Sequence, residues 1–290
     1  MWQTLFNLKS LVCCLLFLAV WNGAAFAGPA PAPRRIVSLA PAMTEIIFSL
    51  GLGARVVGVT TVCDRPREAL LKPKVGGMDN PSLEAIVALK PDLVVLNSDG
   101  NPKLIADRLA KMGIPTHIFL ARRLSELPAG IRAMGRALGA QPAADRLAGE
   151  IEQAIRDAAR PAQQVKGLPA AGGGRKALFV IWTSPLIVAG PGTILDDAMR
   201  ATGLSNIASD AKIPYPRFSL ESVLERKPDL ILIGKGHNDM KNFSKGFLKS
   251  LGRLEAVRQG RVYFLDDALY RPGPRIPAGL AELARCGKMP

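Results

Sequence analysis

Leu83-Glu84-Ala85-Ile86-Val87-Ala88-Leu89-Lys90-Pro91-Asp92-Leu93-Val94-Val95-Leu96 returns as Leu220-Glu221-Ser222-Val223-Leu224-Glu225-Arg226-Lys227-Pro228-Asp229-Leu230-Ile231-Leu232-Ile233, 137 residues later. Leu, Glu, Lys, Pro, Asp and Leu recur in register. A short helix, a Lys-Pro-Asp turn and an apolar strand are thus encoded once in each half of the chain. Two similar α/β halves predict two lobes with a cleft between them, and clefts at domain interfaces favour small-molecule sites.

Working outward from the first copy, Arg35-Ile36-Val37-Ser38-Leu39 and Val56-Val57-Gly58-Val59-Thr60 read as strands. Between them, Thr44 is placed to cap a helix through Ser49, closed by Gly51 and Gly53. Leu93–Asn97 and Thr116–Leu120 read as further strands, with helices over 102–112 and 124–138. Around the second copy, strands are expected over 176–182, 229–233 and 261–265, and helices over 194–201, 243–251 and 277–286. Strands alternating with helices predict a parallel sheet covered on both faces. Between the halves, Ala143, Ala144, Leu147, Ala148, Ile151, Ala154, Ile155 and Ala158 recur at helical spacing between Pro142 and Pro161. That is one helix of about five turns, and a single helical link implies a stiff hinge. The loose stretch from Gly167 to Gly174 follows it. The fold class is α/β, two Rossmann-like lobes joined by one long helix. The expected organisation is a signal peptide over 1–27, a spacer over 28–33, an N-terminal lobe over 34–141, a connecting helix and linker over 142–166, and a C-terminal lobe over 167–290.

The signal peptide is read from Lys9, the apolar run Leu11–Val20 and Ala25-Phe26-Ala27, a small-x-small cleavage pattern. The run is shorter than the roughly 20 residues a membrane span needs, so a soluble exported protein is expected. Hydrophobic residues at 48% and charged residues at 21% indicate a globular chain. The net charge of +14 comes from scattered basic residues. Export and the lack of basic blocks argue against a nucleic-acid partner. Cys63 and Cys286 remain after the leader, and an oxidising compartment permits a bridge between them.

The motifs of hydrolysis, phosphate binding and zinc proteolysis are absent from the sequence. Gly190-Pro191-Gly192 begins a dinucleotide fingerprint, but Leu195 stands at the third glycine. His117 and His237 are the only histidines, too few for a transition-metal site of ordinary make-up, and His117 reads as a packed or edge-strand residue. An enzyme on this scaffold, a hydrolase or a chelatase, would need a nucleophile or metal that the sequence does not offer.

Glu84 and Glu221 each follow a potential capping serine, Ser82 and Ser219, by two residues. In a first helical turn the helix dipole suffices to explain either glutamate. Two at matching positions also allow a second reading, paired anionic docking points for arginines on a twofold-symmetric partner. The loops 62–78, 97–101, 182–185, 213–218 and 266–275 follow strands, where open α/β sheets bind ligands. They carry Met78, Trp182, Tyr215, Asp267, Tyr270 and Arg271, a set suited to a large, flat, partly apolar ligand. With 6% aromatic residues, the pocket is not richly aromatic.

Taken in order, Arg35-Ile36-Val37-Ser38-Leu39-Ala40-Pro41-Ala42-Met43-Thr44-Glu45, Val57-Gly58-Val59-Thr60, Ala88-Leu89-Lys90-Pro91-Asp92-Leu93-Val94 and Ile213-Pro214-Tyr215-Pro216 resemble the cobalamin- and iron-chelate-binding periplasmic proteins of ABC importers. The resemblance runs from about residue 34 to residue 286, with the vitamin B12-binding branch most similar on the loops 213–219 and 267–276. It implies a monomeric periplasmic binding protein, not an enzyme and without a resident cofactor or metal. Its ligand would be cobalamin or a related corrinoid such as cobinamide, with haem or a ferric siderophore as the alternative. Its partners would be a membrane permease and the ATPase subunits. The resemblance implies permease docking by Glu84 and Glu221 and a ligand site of Val62, Cys63, Met78, Asn97, Trp182, Tyr215, Asp267, Tyr270 and Arg271. Asp267 and Arg271 would supply polar contacts, Tyr215 and Trp182 stacking. Tyr215 or Tyr270 would ligate iron in the haem alternative. The branch has aromatics where this chain carries Val62, Met78, Asn97 and Ala268, and a cysteine where it carries Ala201, so the disulfide to Cys286 is expected to be missing.

Overall fold

The structure is a computed structural model and describes residues 31–164, 174–235 and 240–288. The expected signal peptide, His237 and linker residues 165–173 lie outside the described residues. Two sheets carry the architecture. The first has the order β2-β1-β3-β4, with β1 Ile36–Ser38, β2 Val56–Val59, β3 Leu93–Asn97 and β4 Thr116–Phe119, all parallel. In the second, β5 Lys176–Thr183 pairs in parallel with β8 Leu230–Gly234, and β8 with β9 Val262–Leu265. β7 Ser205–Asn206 flanks the start of β5 in parallel, and β6 Leu186–Val188 flanks its end antiparallel. Apart from that hairpin the two sheets share one plan, and the class is the two-lobed α/β fold that the alternating elements predict.

The repeated sequence is a repeated clamp. α2 Leu83–Ala88 and α7 Leu220–Arg226 open on Ser82 and Ser219, whose hydroxyls accept from the third residue on, Ala85 N and Ser222 N, each at 3.1 Å. Lys90 and Lys227 both turn the chain at positive φ, 45° and 47°. Asp92 then accepts from the backbone N–H of Arg34 at 2.7 Å and Arg35 at 2.9 Å, at the entry to β1. Asp229 accepts from Lys176 N at 2.6 Å, at the entry to β5. Each aspartate thereby ties the start of its lobe's central strand to its neighbour, which explains why Lys-Pro-Asp occurs twice.

Two expectations need correction. The helix α1 Pro41–Ser49 begins at Pro41, not at Thr44. Proline fits the first turn, where its missing N–H costs nothing. Thr44 is buried inside that turn, where its Oγ1 bonds Ser38 Oγ at 2.8 Å and Ala40 O at 3.2 Å. Trp182, expected as the last residue of a strand and the first of a cleft loop, lies within β5 opposite Ile187, because the chain doubles back at Ser184–Pro185. His117 lies half-buried on β4, an edge strand, as its flanks predict, and burial lowers its pKa.

The long helix α5 spans Gln141–Gln164. Ala144, Leu147, Ala148 and Ile151 are buried in a core cluster that also includes Ile36 and Phe119 of the first lobe and Phe179 and Leu232 of the second. α4 Leu127–Leu138 packs on it from the N-terminal side and α10 Ile276–Lys288 from the C-terminal side. The helix is therefore embedded in both lobes. A Cβ at Gly135 of α4 would stand 2.2 Å from the Cβ of Ala144, a separation no pair of non-bonded carbons tolerates. Gly135→Ala should push α4 off α5 and destabilise the protein by about 1–3 kcal/mol, measured as a lower midpoint in urea.

Candidate ligand cleft

The strand ends position the site. Backbone after β1, β2, β3 and β9 converges on a cavity of about 450 Å³ lined by Val62, Met78, Asn97, Tyr270 and Arg271, with Pro41, Ala42 and Pro272 among its other walls. Five of the nine ligand-site residues expected from the sequence thus line one cavity, formed by both lobes. A larger cavity of about 1050 Å³ lies beside the joint, lined by Phe48, Pro66, Leu70 and Arg275 among others. None of the nine lines it, and the strand-end rule favours the smaller one.

Asn101 holds the N-terminal side of the cleft together and was not singled out from the sequence. Its Nδ2 donates to Leu39 O and to Met78 O, both at 2.8 Å, and its Oδ1 accepts from Asn97 N at 2.7 Å. One amide so ties three cleft loops. An Asn four residues beyond the last strand position was the only available signal. Met78 lies over Gly100, where a Cβ would meet its Cε at 1.6 Å. Across the cleft Tyr270 packs its ring on Gly234, the last residue of β8, where a Cβ would fall 2.7–2.9 Å from ring atoms. Both glycines are needed for these close approaches.

Trp182 and Tyr215 stand at the same end of the C-terminal sheet, 36% and 48% exposed. Trp182 Nε1 donates to Ser184 O at 2.8 Å, and its ring centre is 6.4 Å from that of Phe243, itself 60% exposed. Phe243, on α8 Met240–Ser250, is an aromatic neighbour that the sequence did not flag. Loss of solvent around the Tyr215 phenol, and then the Asp99 carboxylate on the opposite lobe, raise its pKa.

Cys63 needs correction. It is fully buried, with Sγ 3.0 Å from Thr60 Oγ1 and 3.2 Å from Thr44 Oγ1, so it offers no surface to a ligand. The polar loop after β2 folds back under the cleft, which is why a small apolar thiol fits there. Cys63 and Cys286 are both free.

Asp267 and Arg271 sit in a cross-lobe ion network instead of standing free in the cleft. Arg271 pairs with Asp64 and, through Nε, with Asp267 Oδ2 at 2.7 Å, and lies 3.6 Å from Glu45. Arg275 grips Glu45 with Nε and Nη2 at 2.7 and 3.0 Å, and its Nη1 reaches Asp266 at 2.7 Å and Asp267 at 2.6 Å. Glu45, Asp267 and Arg271 are 4%, 7% and 6% exposed. The hydrogen bond from Asp267, then Arg275, lowers the Asp266 pKa to about 2. Burial, then Asp266, raises that of Asp267. Burial works against the Arg275 charge, but Glu45 and Asp267 overrule it and hold its pKa above the usual value. The Asp266 contribution is therefore complete at neutral pH and is lost only as pH falls from about 3.8 towards 2. A second tie crosses the joint where Arg123 Nε and Leu124 N both donate to Asp197, at 2.9 and 3.0 Å.

Glu84 and Glu221 are exposed in the first turns of α2 and α7. In both, the helix-start backbone N–H and then the capping serine lower the pKa.

The family model described as periplasmic binding protein matches residues 36–269. The chain belongs to that family. A vitamin B12-binding protein of Pectobacterium atrosepticum is 31% identical over 244 residues, 84% of this chain and 85% of the relative. Among solved structures, the periplasmic vitamin B12-binding protein of Vibrio cholerae superposes with a TM-score of 0.75 at 25% identity, covering 89% of this chain and 97% of its own. The periplasmic heme-binding protein of Roseiflexus sp. RS-1 superposes with a TM-score of 0.77 at 32% identity, covering 87% and 97%. The protein is thus a substrate-binding protein of the cobalamin and iron-chelate group, whose members serve transport and are not enzymes. No helix among the described residues is long and apolar enough to cross a membrane.

Removing Arg275 takes the two-pronged partner from the buried Glu45 and leaves Asp267 with Arg271 alone, so Arg275→Met should cost about 3–5 kcal/mol at neutral pH. Burial already raises the Asp267 pKa, so protonation of that carboxyl should shrink the deficit as pH falls. Urea melts of both proteins from neutral to acid pH read this directly, and a deficit that stays constant with pH counts against the network.

Proposed function

We propose that the protein captures a corrinoid, cobalamin or cobinamide, in the inter-lobe cleft and delivers it to an ABC importer permease from the periplasm. The observation that carries the ligand class is the neutralised Arg271. Its guanidinium is engaged by Asp64 and Asp267. A dianionic ligand such as haem finds a cation already matched by carboxylates. A corrinoid presents neutral amides, which can exchange hydrogen bonds with both signs of charge in the network. Val62, Met78 and Tyr270 supply apolar wall, and Trp182, Phe243 and Tyr215 are exposed aromatic faces on the C-terminal lobe. The B12-binding relatives support this reading.

Haem is the second reading, supported by the heme-binding neighbour and by the presence of Tyr215 and Tyr270 at the cleft. Cyanocobalamin, cobinamide and hemin titrated against the protein, with heat and visible spectrum read together, separate the two. The expected result is one-to-one corrinoid binding that persists in Tyr215→Phe and Tyr270→Phe. A shifted Soret band with hemin, lost in those variants, together with no corrinoid heat, replaces the corrinoid by haem.

Glu84 and Glu221 serve in this reading as the permease contacts, one per lobe, held ionised by their helix starts. Charge reversal by Glu84→Arg with Glu221→Arg should leave ligand affinity within about twofold, a change of under 0.5 kcal/mol, and strongly reduce uptake by cells. Normal uptake by the double variant removes the docking role.

A further inference from the structure

At the end of the C-terminal sheet opposite the cleft lies a cavity of about 650 Å³. It opens where β8 and β9 begin, bounded by the second Lys-Pro-Asp turn and by α9 Glu255–Arg258. Its walls carry four cations, Lys227, Arg253, Arg258 and Arg261, against two carboxylates, Asp229 and Glu255. Both carboxylates are already engaged. Asp229 accepts from the Lys176 backbone at 2.6 Å, and Glu255 accepts from Gln259 Nε2 at 2.6 Å and lies 3.9 Å from Arg261 Nη2. Lys227, Arg253 and Arg258 are exposed. Arg261 forms the floor, its side chain 13% exposed, oriented by an Nε bond to Asp229 O at 2.7 Å.

The N-terminal lobe provides an internal control. Val94 N donates to Pro115 O at 2.9 Å, and Ile231 N donates to Arg261 O at 2.9 Å. Pro115 and Arg261 thus occupy the same place before the last strand of their sheets. The same strand pairing is built around a proline in the other lobe, so the pairing itself does not demand the half-buried guanidinium of Arg261. Guanidinium groups match tetrahedral oxyanions through paired N–H donors, and an ammonium adds a point charge.

We propose that this cavity is a binding site for a phosphate-type oxyanion, with Arg253 and Arg258 closing over a ligand that Arg261 and Lys227 receive. The ligand could come free in solution or as the headgroup of an anionic phospholipid. The site is independent of the cleft, so it stands or falls apart from the corrinoid reading.

Inorganic pyrophosphate titrated by calorimetry, and co-sedimentation with phosphatidylglycerol vesicles, test the two sources. The double variant Arg253→Gln/Arg258→Gln changes exposed side chains only, and circular dichroism verifies its fold. Saturable pyrophosphate binding that weakens about tenfold or more in this variant establishes a free oxyanion site. Vesicle binding that the variant loses and pyrophosphate displaces establishes the headgroup as the source. The control Lys245→Gln/Lys249→Gln removes the same charge from exposed positions of α8 outside the cavity. The proposal is overturned if neither probe saturates, or if the control loses as much binding as the arginine variant.

Discussion

Arg271 and Arg275 of the C-terminal lobe face Glu45 and Asp64 of the N-terminal lobe, with Asp266 and Asp267 behind them. Everything at the cleft depends on that meeting. Both guanidiniums, with Glu45 and Asp267, are largely withdrawn from bulk water where the lobes meet beside the ligand cavity, while Asp64 and Asp266 complete the set from its solvent side. Such groups are costly to bury singly and settle only as a matched set. The set fixes where the loop after β9 lies, and with it Tyr270, whose ring is seated on Gly234. It also fixes the loop after β2, which carries Val62 into the cavity and folds Cys63 beneath it. The second tie, Arg123 to Asp197, holds the joint elsewhere, and α5 runs through a core shared by both lobes. The cleft is thus framed by covalent, apolar and ionic links together.

The repeated half explains how a chain builds such a frame economically. Each Lys-Pro-Asp turn ties the first strand of a lobe to the next one, and each preceding helix begins on a serine with a glutamate behind it. The same unit therefore performs a folding task on its inside and presents a charge on its outside. At one pole the two copies stay alike, with Glu84 and Glu221 in equivalent surroundings. At the other they diverge, with Pro115 in one lobe and Arg261 in the other.

Much of this was legible in the sequence. The period of the apolar residues gave the strands, the long helix and the two lobes, because those depend on local pattern. The strand-end rule placed Met78, Tyr270 and Arg271 in the cleft loops without any knowledge of their contacts, and the family resemblance added Val62 and Asn97. Pairings across long separations were not legible. Glu45 and Arg275 are 230 residues apart, and nothing in either neighbourhood announces the other, so Asp267 and Arg271 were read only as polar contacts for the ligand. The hairpin β5–β6 and the two-residue β7 are too short to leave a period. Thr44 has the chemistry of a cap, but Pro41 three residues earlier sets the helix start. Asn101 and Phe243 belong to the site through tertiary placement alone, and Cys63 was misplaced because burial beneath a loop has no sequence signature.

The matched charges of the joint have a consequence for how the cleft responds to its medium. The chain as a whole is strongly basic, at +14, and the field of its exterior fades over a Debye length of about 10 Å at 0.1 M salt. Pairs held at 2.6–3.0 Å between largely buried partners leave no room for counterions. The exterior thus changes its character with ionic strength while the cleft keeps its own, and a ligand recognised there meets the same surface in dilute and in concentrated surroundings.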